Sequence, residues 1–349
     1  MRKKGFTLIE LLVVIAIIAM LLAILMPALN KVKRLAQRLI CGTNVRGMGT
    51  ALMVYAQDFE DEYPVQGGVA EHIWKDNIAR TQGWNDTMKD WSDPKSITIG
   101  ASLYLLVRHA DVDTKSFVCK SSDQRAYDGY NPPGEQSDGI ALDLVELWDF
   151  GMFDINATGA NAWKTKSGPK NHVSYAYQLP YAVGNEPGRP ADSTASASTA
   201  IMADKNPWQD PKLELGTGIT DTTVLKRDFV TLISFLGGSS SCPPPDPGDW
   251  QLKSTTAWQI QIANSQPHGR EGQNVLYGDG HADFTKRPDV SYQNDNIYTQ
   301  FCEKPPDTTE GGRRVGWVPP ATTHYGLGAL RPQGDEDAVL ANDDHRDWK

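Results

Sequence analysis

Between Phe6 and Leu29 the chain reads FTLIELLVVIAIIAMLLAILMPAL, twenty-four residues with a single ionisable side chain, Glu10. A helix of that length is about 36 Å long and crosses a hydrocarbon core of about 30 Å. Ahead of it sits a short basic stub, with Arg2, Lys3 and Lys4. A cleaved secretory signal has such a stub, but its apolar region is about 7–15 residues long and ends in a small-residue cleavage site. Here the run is longer and no A-x-A pattern closes it. A plain membrane anchor fits the length but leaves Glu10 without a reason, since a carboxylate costs at least about 2.5 kcal/mol near the bilayer centre and less towards its edge. Lys and Arg flank both ends of the span (Lys31, Lys33, Arg34 and Arg38 follow it), so loop charge alone does not orient the helix.

The string Gly5-Phe6-Thr7-Leu8-Ile9-Glu10 resembles the signal of type IV pilins and type II secretion pseudopilins. The resemblance implies cleavage after Gly5 by prepilin peptidase, N-methylation of the new terminal Phe6, and a Glu10 that meets the terminal amine of a neighbouring subunit during assembly. A carboxylate in hydrocarbon is tolerable when an opposite charge pairs with it. Pro27 matches the helix-kinking proline common in that family. The resemblance also places the stub in the cytoplasm and the rest outside. Loss of residues 1–5 removes three positive charges, taking the formal charge from −9 to near −12.

Beyond the span, Leu29, Val32, Ala36, Leu39 and Ile40 keep helical spacing, and Val45, Met48, Leu52, Tyr55 and Phe59 form a further apolar stripe. Cys41-Gly42 is a candidate interruption, with Thr43 or Asn44 as a cap for the second stretch. The helix, long or broken, is expected to end before Tyr63-Pro64. Short strand-like runs follow at 115–119, 172–178, 200–203, 274–277 and 281–284, while 103–107 reads as helix or strand. Gly278-Asp279-Gly280 is the expected turn of a hairpin over 274–284. Residues 121–170 and 205–260 read as insertions, and the acidic tail from Arg331 as loose.

Composition supports a folded, non-nucleic-acid-binding domain. There are ten Trp, 40% of residues are apolar, and the negative charge disfavours phosphate contacts. The mean hydropathy of −0.44 excludes a multi-span membrane protein. The order of several landmarks resembles a pseudopilin-like family abundant in Planctomycetes and Lentisphaerae. They are Cys41-Gly42-Thr43-Asn44, Phe117-Val118-Cys119, Ser174-Tyr175-Ala176-Tyr177, Ala203-Asp204, and His268 followed by Asn274 to His281. Many members place nine residues between that His and an Asp-Gly pair; here ten separate His268 from Asp279.

Asp279 and Asp283 are candidate oxygen ligands for calcium, and the resemblance adds support because some secretion pseudopilins hold calcium in a C-terminal loop. Asp-Gly is equally a favoured hairpin turn with no metal. His268, Asp204 and Asp279 are the residues from which a hydrolytic site could be built, but no G-x-S-x-G, H-E-x-x-H or Walker A pattern is present, and no catalytic activity is expected. The four Cys (Cys41, Cys119, Cys242 and Cys302) contain no C-x-x-C pair, which argues against zinc. Outside the cytoplasm an even number suggests disulfides. Pairing Cys41 with Cys119 would tie helix to domain, and Cys242 with Cys302 would staple the late loops; free buried thiols are the other reading. Trp84 and Trp91 could form a glycan platform, or pack over a loop-rich domain.

The expected fold is α+β: a long, partly transmembrane N-terminal helix packed on a small antiparallel β-sheet with large loop insertions. The expected divisions are a leader (1–5), a membrane and assembly helix (6–29), the helix's extracytoplasmic half (30–62), a domain (63–330) and an acidic tail (331–349). The expected function is that of a prepilin-like structural subunit of a type IV pilus or type II secretion pseudopilus. Its partners would be prepilin peptidase, other pilin or pseudopilin subunits and the inner membrane, with no nucleic acid and no required cofactor, calcium aside. The alternative is a membrane-anchored module that binds glycan or protein and uses a pilin-type signal for export.

Overall fold

A computed structural model describes residues 8–65, 99–129, 144–146, 149–150, 169–180, 189–207, 264–291, 297–298, 300–302, 315–317 and 338–341. Gly5, Phe6, Trp84, Trp91 and Cys242 lie outside the described residues, as does most of both expected insertions.

Helix α1 spans Leu8–Asp58 without a break, carrying Pro27 inside it. Cys41-Gly42 does not interrupt it. Thr43 caps nothing: its hydroxyl donates back to the Leu39 carbonyl at 3.0 Å, satisfied within the helix. The two halves of α1 live in different surroundings. From Leu8 to Leu35 every described side chain is exposed, including Ile15, Ile18 and Leu22. From Cys41 onwards a stripe of Cys41, Val45, Met48, Leu52 and Tyr55 is buried, at the three- and four-residue spacing that keeps one face inward. Gly49 lies on that face because space demands it: a Cβ there would meet a Leu276 methyl at 2.5 Å.

The buried half of α1 packs on α2 (Ile99–His109) and on a sheet. The 103–107 run is thus helical; its apolar residues are buried, with Leu103, Tyr104 and Leu106 fully so. The sheet comprises β1 (Tyr175–Gln178), β2 (Ala200–Asp204), β3 (Gln273–Tyr277), β4 (Ala282–Thr285) and a late strand that pairs with β1. A second sheet is the two-stranded pair of β5 (Gln300–Cys302) and β6 (Val315–Trp317), and the late strand is β7 (Leu340–Ala341). The five-stranded order is β4-β3-β2-β1-β7, with every pairing antiparallel. Strands β1, β2 and β3 are buried on both faces, so they lack the polar alternation of a one-sided sheet.

Three expectations are corrected here. The 115–119 run is not a strand: Thr114–Phe117 forms a 3-10 turn, capped by the Asp113 carboxylate accepting from the Lys115 N–H at 2.8 Å. The strand expected at 172–178 begins only at Tyr175, after a short helix α3 (Pro169–His172). The tail is not loose throughout: residues 338–341 are buried, and β7 pairs with β1. The Asn206 amide holds it there, donating to the Leu340 carbonyl at 2.8 Å and the Tyr298 carbonyl at 3.1 Å.

Candidate functional site

Two regions carry the chemistry: the exposed apolar half of α1, and a buried polar knot where the other half meets the sheet. In the first, Glu10 lies in the exposed first turn of α1. The helix is long and apolar enough to cross a membrane. At the exit of that stretch the domain takes hold. Arg38 stacks its guanidinium 3.9 Å above the Phe284 ring and pairs with Glu271, while Gln37 donates to the Lys120 carbonyl at 2.9 Å. These contacts set where the helix stops being free.

The knot begins one turn further on. Cys41 of α1 faces Cys119, which follows the 3-10 turn, with their Sγ atoms 2.7 Å apart and both side chains fully buried. His268 comes from a tight turn before β3 in which His268, Gly269, Arg270 and Gly272 all have positive φ. Its Nε2 lies 3.5 Å from the Cys119 Sγ and 3.5 Å from the Asp204 Oδ2, while Nδ1 is 3.1 Å from the Ser121 hydroxyl. Asp204, the last residue of β2, accepts from the Asn274 N–H at 2.7 Å and from its side-chain amide at 3.1 Å. Its second oxygen, Oδ1, is buried without a hydrogen-bond partner among the described residues.

The electrostatics follow from this packing. Burial by itself would push the His268 imidazole down, but its bonds to Asp204 and Cys41 outweigh it and raise the group to about 9. Hydrogen bonding from Cys119 lowers the Cys41 thiol to about 5, against the opposing effect of burial, with a further contribution from His268. Cys119 moves the opposite way, because its proton is held by Cys41 and because it is buried. The ligand atoms of Cys41, Cys119 and His268 all lie within 4.8 Å of one another.

The structure thus joins His268 to Asp204 but not to Asp279, which sits in the exposed β3–β4 turn. There the Asp279 carboxylate accepts from the His281 N–H at 3.0 Å and is also bonded to its ring, which lowers its pKa. Asp283 lies on β4 opposite Val275, with its Oδ1 taking the Phe284 N–H at 2.7 Å. Gly278-Asp279-Gly280 is the hairpin turn, with the Gly280 N–H on the Tyr277 carbonyl at 2.8 Å. Cys302 contributes its backbone to β5. Ser121 is a site residue that motif reading does not single out, whereas Asn274 opens one of the landmark runs with no role assigned to it. Asn274 carries a signal in hindsight: a polar side chain beginning a run whose neighbours are all strand-formers.

No curated protein and no solved structure matches the chain. Residues 1–26 match the family model described as the prokaryotic N-terminal methylation motif. With the long apolar helix that follows, the match is consistent with a prepilin-type signal on a type IV pilin-like protein anchored in the membrane by a single helix.

Proposed function

We propose that the chain is a prepilin-like structural subunit. Prepilin peptidase cuts it after Gly5 and Phe6 is N-methylated. The apolar half of α1 first holds it in the inner membrane, with the domain on the far side. It then packs against equivalent helices in a type IV pilus or type II secretion pseudopilus. The observation that carries this reading is the division of one continuous helix into an apolar half whose described side chains are all exposed and a half built into the core. Such a helix can leave lipid for a bundle of its own kind without disturbing the fold attached to it. Glu10 would pair with the Phe6 amine of a neighbour and so set the axial register, since in hydrocarbon an ion pair is far cheaper than two separated charges.

The test has two readouts on protein from its native membrane. Intact mass should show a chain beginning at N-methyl-Phe6. Self-cross-linking through the exposed half of α1 should fall at least tenfold in Glu10→Ala, with the amount of folded protein unchanged. A chain that keeps Met1 in cells with active prepilin peptidase would overturn the reading and favour a simply anchored binding module, which would retain ligand affinity once residues 1–40 are removed.

A further inference from the structure

We propose that Cys41 and Cys119 close into a disulfide that locks the helix to the domain at the first buried position of α1 beyond its apolar stretch. Three observations converge on it. The two sulfurs are 2.7 Å apart, inside the roughly 3.5–4.0 Å at which unbonded heavy atoms rest. Both side chains are wholly buried, so the thiols gain nothing from water. And the neighbouring polar groups, the Asp204 Oδ1 apart, have partners other than the sulfurs: His268 faces Asp204, Asp204 Oδ2 takes two donors from Asn274, and Ser121 meets the far ring nitrogen. A disulfide is neutral and needs no hydrogen-bond partner of its own, so it fits beside that pair in a site closed to water. A zinc ion held by the same Cys41, Cys119 and His268 would part the sulfurs to about 3.7 Å in a tetrahedral site with Zn–S near 2.3 Å, whereas a disulfide would draw them together to about 2.05 Å, and the metal content decides between the two.

The position gives the bond its work. Cys41 is the first fully buried residue of α1 after the exposed stretch. Cys119 is 78 positions away in sequence and belongs to the domain. Axial load carried by the helices of a fibre would otherwise reach the domain at this level only through noncovalent contacts, the backbone joining the two beyond Asp58; the bond adds a covalent link at Cys41. The inference rests on the proposed export of the domain, because the oxidant is an envelope thiol–disulfide oxidoreductase. The Cys41 thiolate attacks the oxidised disulfide of that protein, forming a mixed disulfide and expelling one of its thiolates. The Cys119 sulfur, after giving up its proton, attacks Cys41 Sγ and expels the second. Two thiols become one disulfide, and two electrons and two protons reduce the partner to its dithiol.

Full-length protein should be isolated in detergent from its native membrane with thiols blocked by iodoacetamide at lysis under denaturing, non-reducing conditions. Tryptic peptides 39–46 and 116–120 each contain one of the two Cys. They should be recovered linked, two hydrogens lighter than their sum, and separate only after reduction. Cys41→Ser, Cys119→Ser and the double variant should melt equally, on the order of 10 °C below the oxidised parent. Both peptides carrying the alkyl label in a chain that starts at Phe6 would overturn the disulfide and leave the prepilin reading standing. Labelled peptides in a chain that still carries Met1 would overturn both. Stoichiometric zinc in gently purified protein, with both sulfurs labelled only after denaturation, would replace the disulfide by a metal site.

Discussion

Asp204 is held by one oxygen and strained by the other: Oδ2 receives Asn274 and faces His268, while Oδ1 is buried without a partner among the described residues. Asp204 and His268 face each other in a buried site, so removing one partner leaves the other without its pair. Asp204→Asn should cost about 3–5 kcal/mol, and the imidazole should titrate below its ordinary range, where burial pushes it. An NMR titration of the His268 ring checks the second point independently of any melt. The pH dependence has a definite sign. His268 is raised to about 9 from an ordinary 6.5, so its protonated form is favoured by folding. That stability is complete below pH 6.5 and is lost as pH climbs through 9, amounting to about 3 kcal/mol at most. The groups facing the ring are Asp204, Cys41, Cys119, the Ser121 hydroxyl and the amide of Asn274; in the disulfide form the part owed to Cys41 disappears and the shift is smaller. The difference in stability between the parent and His268→Gln should therefore shrink from pH 6 to pH 9.5. A flat difference would show that the ring is neutral in the folded state.

Among the elements, α1 sets the sharpest contrast, because one helix obeys two rules. Leu52 is 1% exposed against the sheet and Leu22 is 48% exposed on the free half. Leu52→Ala should cost the domain about 2–5 kcal/mol. Leu22→Ala should leave its melting unchanged while weakening self-association. The entry to β3 is a second sensitive point: Gly272 has φ +154, and a Cβ there would stand 2.1 Å from the Thr285 carbonyl oxygen. Gly272→Ala should destabilise by about 2 kcal/mol or more, measured by urea titration. What the sequence makes legible follows the same division. The apolar run, the buried stripe from Val45 to Tyr55 and the β3–β4 hairpin were readable, since each has a period or a turn signal of its own. The 115–119 segment was not, because Phe117 and Cys119 owe their burial to α1 rather than to strand pairing, and an Asp113 cap decides the local conformation. β7 was equally silent: two residues in an acidic tail become a strand only because Asn206 and Gln178, over 130 positions away, supply partners. The polar knot was half legible. Its members could be named as landmarks, but their convergence depends on the left-handed turn at His268, which no spacing rule contains.

At the scale of the whole molecule, the question is where the domain ends and the assembly device begins, and the contacts locate that boundary within a few residues. Among the described residues, Arg34 pairs with Glu271 at 3.7 Å, between two half-exposed side chains. It is followed by Gln37 on Lys120 and Arg38 over Phe284, and then by burial of Cys41 and Val45. Exposed ion pairs contribute about 1 kcal/mol or less, whereas each buried apolar side chain contributes about 1.5–3 kcal/mol, so the fold depends on the helix from Arg38 onwards and hardly at all on what precedes it. A chain beginning at Asn30 should therefore be soluble without detergent, run as a monomer on gel filtration, and unfold cooperatively within a few degrees of the full-length protein. A chain beginning at Met48 loses Cys41 and Val45 from the core along with Arg38, and should fail to fold or aggregate. If the longer truncation were as stable as the shorter, the buried stripe would not be what holds α1 to the sheet. If the shorter were already unfolded, the apolar half of α1 would belong to the domain's own core, and the separation of membrane and assembly helix from folded domain would fall with it.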